Sequence, residues 1–121
     1  MGIGRLENIL KEFEDNLKSF EKSDDQFSQT YDLAIRLIKE YLKESSGSPT
    51  EINYLEFEQL IRKAFAISIL TEELAVWKKF RKCRDDMARR GFSPDVELRN
   101  GFLHELRYLS SQITERKKYL E

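Results

Sequence analysis

The apolar residues of this chain recur at steps of three and four, and this spacing constrains the fold more than any other feature of the sequence. The first stretch to show it contains Leu6, Ile9, Leu10, Phe13, Leu17 and Phe20. On an α-helix such residues share one face, which must be covered by another surface. No stretch alternates apolar and polar residues in the manner of a strand. The pattern therefore predicts helices that each bury one side against their neighbours.

Four further segments carry the same spacing, at about residues 27–42, 49–66, 72–90 and 94–117. With short loops between them, the five segments predict an all-α, up-and-down bundle of four to five helices. Predicted cap and stop residues separate them, namely Ser48, Thr71, Gly91 and Ser93. The 121 residues suit a single domain over 1–121. We expect residues 1–4 and 118–121 to fray.

The aromatic residues fall mainly on the apolar faces, so we expect them in the core. The positions at core spacing are Phe20, Phe27, Tyr31, Tyr41, Phe65, Phe80 and Phe102. Trp77 is predicted to be a packing anchor on the fourth helix, beside that helix's polar residues.

Composition excludes several classes of function. The formal net charge is −1, so any contact with a polyanion has to come from a local patch. Cys83 is the single cysteine, which excludes an internal disulfide, and no Cys/His spacing predicts a metal or a cofactor. No apolar run is long enough to span a bilayer, and the start "MGIGRLENIL" has no signal-peptide core. These features predict a cytoplasmic protein without a membrane contact.

The fourth predicted helix contains the most densely charged stretch, "WKKFRKCRDDMARRGF" at 77–92. Arg84 and Arg89 are predicted to contact an anion, because a guanidinium can grip a phosphate through two hydrogen bonds. Arg81 and Asp85 lie four apart, as do Asp85 and Arg89, so these pairs can orient the guanidinium groups. The alternative interpretation is a solvated face laced with weak ion pairs.

Other polar residues give weaker signals, so no catalytic or metal-binding residue is assigned. His104 has no nucleophile or metal partner in a recognisable motif. Asp85 and Asp86 are adjacent on a helix and point about 100° apart, which disfavours a shared cation. Cys83 lies among basic groups but has no histidine base near it in sequence.

Three stretches also occur in a familiar order: "FSQTYDLAIRLIKEYL" (27–42), "IRKAFAISIL" (61–70) and "WKKFRKCRDDMAR" (77–89). In this order they resemble the nucleotidyltransferase substrate-binding protein family, small helical bundles of the HEPN superfamily. The likeness spans about residues 5–115, although Arg36 stands where an aromatic residue is common. The matching positions are Phe27, Tyr31, Leu33, Tyr41, Leu42, Ala64, Phe65, Ile69 and Trp77.

The polar signature of that family is an Arg, usually followed by Asn, with a His five residues after the Arg. Arg84 matches the Arg, Asp85 replaces the Asn, and Arg89 stands where the His is found. In nuclease members the Arg and the His are the proposed catalytic pair for RNA cleavage. An arginine stays protonated near neutral pH and cannot accept a proton, so the replacement argues against ribonuclease activity and leaves anion binding open.

The resemblance thus implies a non-catalytic homodimer that binds nucleotide or RNA beside a separate small nucleotidyltransferase subunit, which supplies the chemistry. It is also compatible with one half of a toxin–antitoxin-like pair. Two alternatives stay open. One is an endoribonuclease with a degenerate Arg84–Arg89 site, in which Asp85 or His104 transfers the proton. The other is a structural or interaction bundle that binds no small ligand.

Overall fold

The computed structural model describes residues 2–22, 26–46, 49–90 and 95–120, and these residues form α-helices without a strand. The predicted all-α helical bundle is therefore confirmed. In chain order the helices are α1 (Gly2–Lys22), α2 (Phe27–Ser46), α3 (Pro49–Asn53), α4 (Phe57–Ala66), α5 (Leu74–Arg90) and α6 (Val96–Arg116), followed by a 3₁₀ turn at Lys117–Tyr119.

The long helices α1, α2, α5 and α6 form the bundle. The helix α1 packs along α2 on one side and along α6 on the other, while α2 also packs along α5. The short helices α3 and α4 pack against α2, and α4 also contacts α5. The backbones of α5 and α6 stay farther apart than those of these pairs, and side chains bridge the gap between them. None of the helices in the described part of the chain has the length and apolar character to cross a membrane.

Phe102 of α6 lies at the centre of an aromatic core that joins the four long helices. Its ring centroid is 4.5 Å from that of Phe27 on α2 and 4.8 Å from that of Phe80 on α5. Phe20 of α1 completes the contact, with its centroid 5.8 Å away. All four rings are almost fully buried. Such ring pairs add about 0.5–1.5 kcal/mol each beyond the area they bury.

The helix predicted over 49–66 is divided into two. Tyr54 forms a turn, and Leu55 and Glu56 leave the helical path before α4 begins. The side chain of Gln59 accepts a hydrogen bond from the backbone N–H of Glu56 at 3.1 Å, which helps start the new helix. Ile52 is buried, and Leu55 and Phe57 pack against the core, so the chain keeps apolar contacts on both sides of the break.

Phe65 is the one predicted core aromatic that is not buried, with 39% of its surface exposed. Leu60, Ile61 and Ala64 form the buried face of α4, and Phe65 lies at the edge of that face. The spacing prediction was wrong here because α4 contains only ten residues and buries a narrow stripe. The other six predicted core aromatics are buried.

Several predicted boundary residues lie outside the described residues. They are Ser48, Gly91 and Ser93, together with Met1 and Glu121 at the ends that were expected to fray. Thr71 is described, but α5 begins three residues after it, at Leu74. The prediction that Thr71 caps this helix was therefore wrong, and its hydroxyl has another partner that is described below.

Candidate functional site

Arg84 lies on the side of α5 that faces α2, and 27% of its side chain is exposed. Its guanidinium carbon lies 4.9 Å from the ring centroid of Tyr31, a stacking contact. Nη1 donates a hydrogen bond to Oδ1 of Asp32 at 2.5 Å, and Nε donates one to Oδ1 of Asp85 at 2.8 Å. The ring and the two carboxylates therefore hold the guanidinium in one plane.

These neighbours further stabilise the charged form of Arg84. Its partial burial disfavours the charged form, but the hydrogen bond to Asp85 and the charge of Asp32 outweigh burial and raise the pKa of Arg84. Arg81 is close enough to Tyr31 to act on it electrostatically. We call this group of side chains the Arg84 cluster; its members are Arg84, Arg81, Tyr31, Asp32 and Asp85. The carboxylates of Asp32 and Asp85 offset the charges of the two arginines, so the cluster carries no net charge.

The Arg84 cluster still offers a donor. No described residue accepts a hydrogen bond from Nη2 of Arg84, because its two partners use Nε and Nη1. A guanidinium N–H of this kind can donate to an oxygen of an incoming phosphate or carboxylate, and 27% of the Arg84 side chain is exposed. The same oxygen would meet the negative charge of Asp32 and Asp85, which weakens its attraction to the cluster.

Tyr31 lies beneath the guanidinium and is 2% exposed. Its hydroxyl oxygen is buried and has no hydrogen-bond partner among the described residues. Burial raises the pKa of Tyr31 well above its usual range, and the charges of Arg84 and Arg81 offset only part of this effect. Tyr31 therefore stays neutral and serves as the surface on which Arg84 stacks.

A small groove borders the Arg84 cluster at Asp32. Its volume is about 360 Å³, and it lies between α1 and α2. Its lining residues are Glu12, Ser28, Gln29, Asp32, Leu33 and Arg36. The exposed Arg36 lies one helical turn after Asp32 and also lines this groove, so a third guanidinium, besides those of Arg84 and Arg81, lies beside Asp32.

Some of the predicted site residues belong to this cluster, and others are exposed to solvent. Asp85 bonds to its neighbour Arg84, rather than to Arg81 or Arg89 four positions away. Arg81 is exposed, with its guanidinium carbon 4.9 Å from the centroid of Phe57. Arg89 is also exposed and forms no ion pair with another described residue. The structure therefore brings Arg84 and Asp85 together, with Arg81 nearby, and does not bring Arg89 to them.

Trp77 is fully buried in the same helix. Its ring centroid lies 6.2 Å from that of Tyr31 and 5.4 Å from that of Phe80. Trp77 therefore joins the aromatic core to the ring that supports Arg84, and the guanidinium rests on a part of the molecule that cannot readily move.

The remaining candidates do not join this cluster. His104 is exposed on α6, and Asp86 pairs with Lys82 at 3.7 Å. Cys83 is half-buried on the side of α5 that faces α6. Within the described ranges no group of three or more His, Cys, Asp and Glu side chains is arranged to hold a metal ion.

Glu105 of α6 is a polar centre that the sequence analysis missed. It is fully buried and accepts four hydrogen bonds: from the backbone and hydroxyl of Thr71 at 2.9 and 2.8 Å, the backbone of Glu72 at 2.7 Å, and Nε1 of Trp77 at 3.1 Å. These donors tie the segment before α5 to α6. The partner of the Thr71 hydroxyl is thus a carboxylate on another helix.

Two more side chains of α6 hold the start of that segment. Ser68 has a positive φ of 65°, which is uncommon for a residue with a side chain. Its carbonyl accepts a hydrogen bond from the hydroxyl of Tyr108 at 2.8 Å, and the carbonyl of Ile67 accepts one from Nη1 of Arg116. Glu105 also gave a signal in the sequence, because it lies three residues after Phe102 and four before Leu109, inside the apolar stripe of α6.

Comparison of the chain with known proteins finds no matching family model, no matching curated protein and no matching solved structure.

Proposed function

We propose that this chain is a non-catalytic binding subunit, which partners a separate small nucleotidyltransferase and contacts nucleotide or RNA through the Arg84 cluster. The observation that carries the proposal is the Arg84 guanidinium, which is held in one plane by Tyr31, Asp32 and Asp85 and keeps Nη2 for an external acceptor. A donor that is oriented before binding loses less entropy when a phosphate arrives. The class of partner rests on the sequence resemblance described above.

The charge balance of the cluster supports a contributing role rather than a complete site. Asp32 and Asp85 offset the attraction of Arg84 for an anion, so we expect the isolated chain to bind nucleotides weakly. The proposed nucleotidyltransferase would supply the remaining contacts and all of the chemistry. Arg36, beside the groove at Asp32, is positioned to extend the contact along a nucleotide or a short RNA.

The proposal includes a homodimer in the cytoplasm, which the resemblance and the single Cys83 favour, and it is compatible with a toxin–antitoxin-like pair. Several large apolar side chains are exposed in the single chain and are candidates for contacts between subunits; they are Tyr54, Phe65, Ile67, Val96 and Tyr119. Light scattering of the purified protein over a range of concentrations tests the homodimer directly.

A pair of matched variants tests the role of the cluster. Arg84→Ala and Arg89→Ala each remove one positive charge from α5, but only Arg84 belongs to the cluster. We expect Arg84→Ala to weaken binding of ATP or a short RNA about tenfold, the loss of one charged hydrogen bond, and Arg89→Ala to change it less than about twofold. Titration calorimetry measures both, and circular dichroism checks that each variant is folded.

The possible results separate the hypotheses. Equal losses in the two variants would mean that bulk charge, rather than the cluster, attracts the ligand. Unchanged binding in Arg84→Ala would remove the proposed contact. Cleavage of the RNA during the titration that disappears in Arg84→Ala would favour an endoribonuclease.

A bundle that binds other proteins and no small ligand is the second candidate. The neutralisation of Arg84 by Asp32 and Asp85 favours it, because a satisfied ion pair needs no ligand. The variant Asp32→Asn discriminates between the two candidates. Removing this negative charge should strengthen nucleotide binding if Arg84 contacts the ligand, whereas an absence of binding in every variant supports the second candidate.

A further inference from the structure

A second concave surface lies between α5 and α6, on a different side of α5 from Arg84. This surface, the α5–α6 groove, has a volume of about 810 Å³, and no residue of the Arg84 cluster lines it. It follows from the separation of the α5 and α6 backbones, which are bridged inside by Phe80 and Phe102. Its floor is formed by Val76, Phe80, Cys83, Met87, Leu98 and Gly101.

The edges of the α5–α6 groove are mainly acidic. Among the described residues, four carboxylates and two ammonium groups line it, the latter those of Lys79 and Lys82. Lys82 pairs with Asp86 at 3.7 Å, so three carboxylates and one ammonium group remain outside this pair. The acidic residues are Glu72, Asp86, Asp95 and Glu97. An apolar floor between acidic edges is complementary to an apolar surface that carries positive charges along its sides.

Gly101 leaves the α6 side of the groove open. It lies inside α6, where glycine costs about 0.5–1 kcal/mol relative to alanine. A Cβ atom at this position would meet nothing within 4 Å, so the packing of the described residues does not require a glycine. An external segment that lies close to α6 would make use of the missing side chain.

We propose that the α5–α6 groove binds a basic amphipathic helix of a partner protein. The helix would place apolar side chains on the floor between Phe80 and Leu98, and Lys or Arg side chains toward the acidic edges. Helices of this kind commonly bind in apolar grooves through residues at i, i+3, i+4 and i+7. A second copy of this chain fits less well, since two concave, acidic surfaces would face each other. The inference does not depend on the proposed role of Arg84.

Two synthetic helical peptides test this proposal with the full chain. Both carry leucine at i, i+3, i+4 and i+7; the first has lysine along both flanks, and the control has glutamate there. We expect the lysine peptide to bind at least about tenfold more tightly, and to lose affinity as salt is added. Fluorescence anisotropy measures the affinities. Protection of Cys83, the only cysteine, from alkylation reports whether the peptide covers the floor of the groove.

Variants of the chain locate the binding. Gly101→Leu places a side chain in the groove at a position with open space, so the variant should fold. Its affinity for the lysine peptide should fall at least about tenfold. The matched control is Asn100→Leu, at an exposed neighbouring position that does not line the groove. The double variant Asp86→Asn and Glu97→Gln should also lower the affinity for the lysine peptide, without changing the shape of the floor.

Three results would overturn the proposal. The first is equal affinity for the two peptides, and the second is binding that persists unchanged in Gly101→Leu or leaves Cys83 open to alkylation. The third is a concentration-dependent dimer that Gly101→Leu disrupts and Asn100→Leu does not, which would assign the groove to a second copy of the chain.

Discussion

Two charged side chains, Glu105 and Arg84, organise two different regions of this bundle. Glu105 is fully buried, and four uncharged donors surround its two oxygens. Arg84 keeps 27% of its side chain exposed and is held by two charged partners, Asp32 and Asp85, that are more exposed than itself. The first region is closed to solvent, while the second can be reached from outside.

The difference shows which polar groups a function can use. The oxygens of Glu105 are occupied by hydrogen bonds that join α6 to the segment before α5, so another ligand would have to break the fold to reach them. Nη2 of Arg84 has no acceptor among the described residues. The ion pairs of Arg84 with Asp32 and Asp85 are partly exposed, so an external anion can compete with these carboxylates for the guanidinium. We therefore interpret Glu105 as structural and the Arg84 cluster as a candidate for binding.

The largest effect should come from Glu105→Ala. The variant leaves two backbone N–H groups, the Thr71 hydroxyl and the Trp77 indole without their acceptor, so we expect the free energy of unfolding to fall by about 3–5 kcal/mol. Urea denaturation measures the change. Glu115→Ala removes an exposed carboxylate of the same helix and should change stability by less than about 0.5 kcal/mol. Similar results for the two variants would refute the structural role of Glu105.

Arg84→Ala should destabilise the protein less, by about 1 kcal/mol. The variant removes two partly exposed ion pairs and the stacking contact with Tyr31. The carboxylates of Asp32 and Asp85 lose their partner but stay in contact with water, which limits the cost. The same urea experiment at low and high salt measures the loss, which should shrink as salt screens the charges. A loss as large as that of Glu105→Ala would mean that the Arg84 region is closed as well.

Gly101→Ala should stabilise the protein by about 0.5–1 kcal/mol. Gly101 lies one turn before Glu105 on α6, and alanine lowers the conformational freedom of the unfolded chain without meeting a neighbour within 4 Å. Thermal unfolding measures the gain. Comparing Gly101→Ala with Glu105→Ala separates two contributions to stability, the helical propensity of α6 and the hydrogen bonds of Glu105. A destabilised Gly101→Ala protein would show that α6 tolerates no side chain here.

Tyr31→Phe should have the smallest effect at neutral pH, within about 0.5 kcal/mol, because the lost hydroxyl has no described partner. The raised pKa of Tyr31 gives the sign of its effect in alkali. Above the usual pKa of 10.0, the unfolded chain releases the Tyr31 proton while the folded protein retains it, so the parent protein loses stability as pH rises. Urea denaturation across this range should show a shallower decline for Tyr31→Phe, and parallel declines would contradict the burial of the neutral phenol.

The helices were largely predictable, and the partners of the charged residues were not. Spacing alone identified most of the buried aromatic residues, because helical geometry repeats locally every 3.6 residues. The same local geometry suggested that Asp85 pairs with Arg81 or Arg89. Arg84 instead lies beside Asp85 and reaches Asp32, which is 52 positions away in sequence. Arg84 lies in line with Trp77 on the core-facing side of α5, and this placed its guanidinium over Tyr31.

The apolar pattern by itself determined that this chain is helical and which side of most helices is buried, since both depend on residues a few positions apart. Only the tertiary structure decided that α2 lies against α5, which brings Asp32 to Arg84, and that α6 reaches the segment before α5, which brings Glu105 to Thr71. The choice of neighbouring helices depends on how all the apolar faces pack together at once. The sequence of a single segment does not show that packing, and the packing decides which charged side chains come close enough to pair.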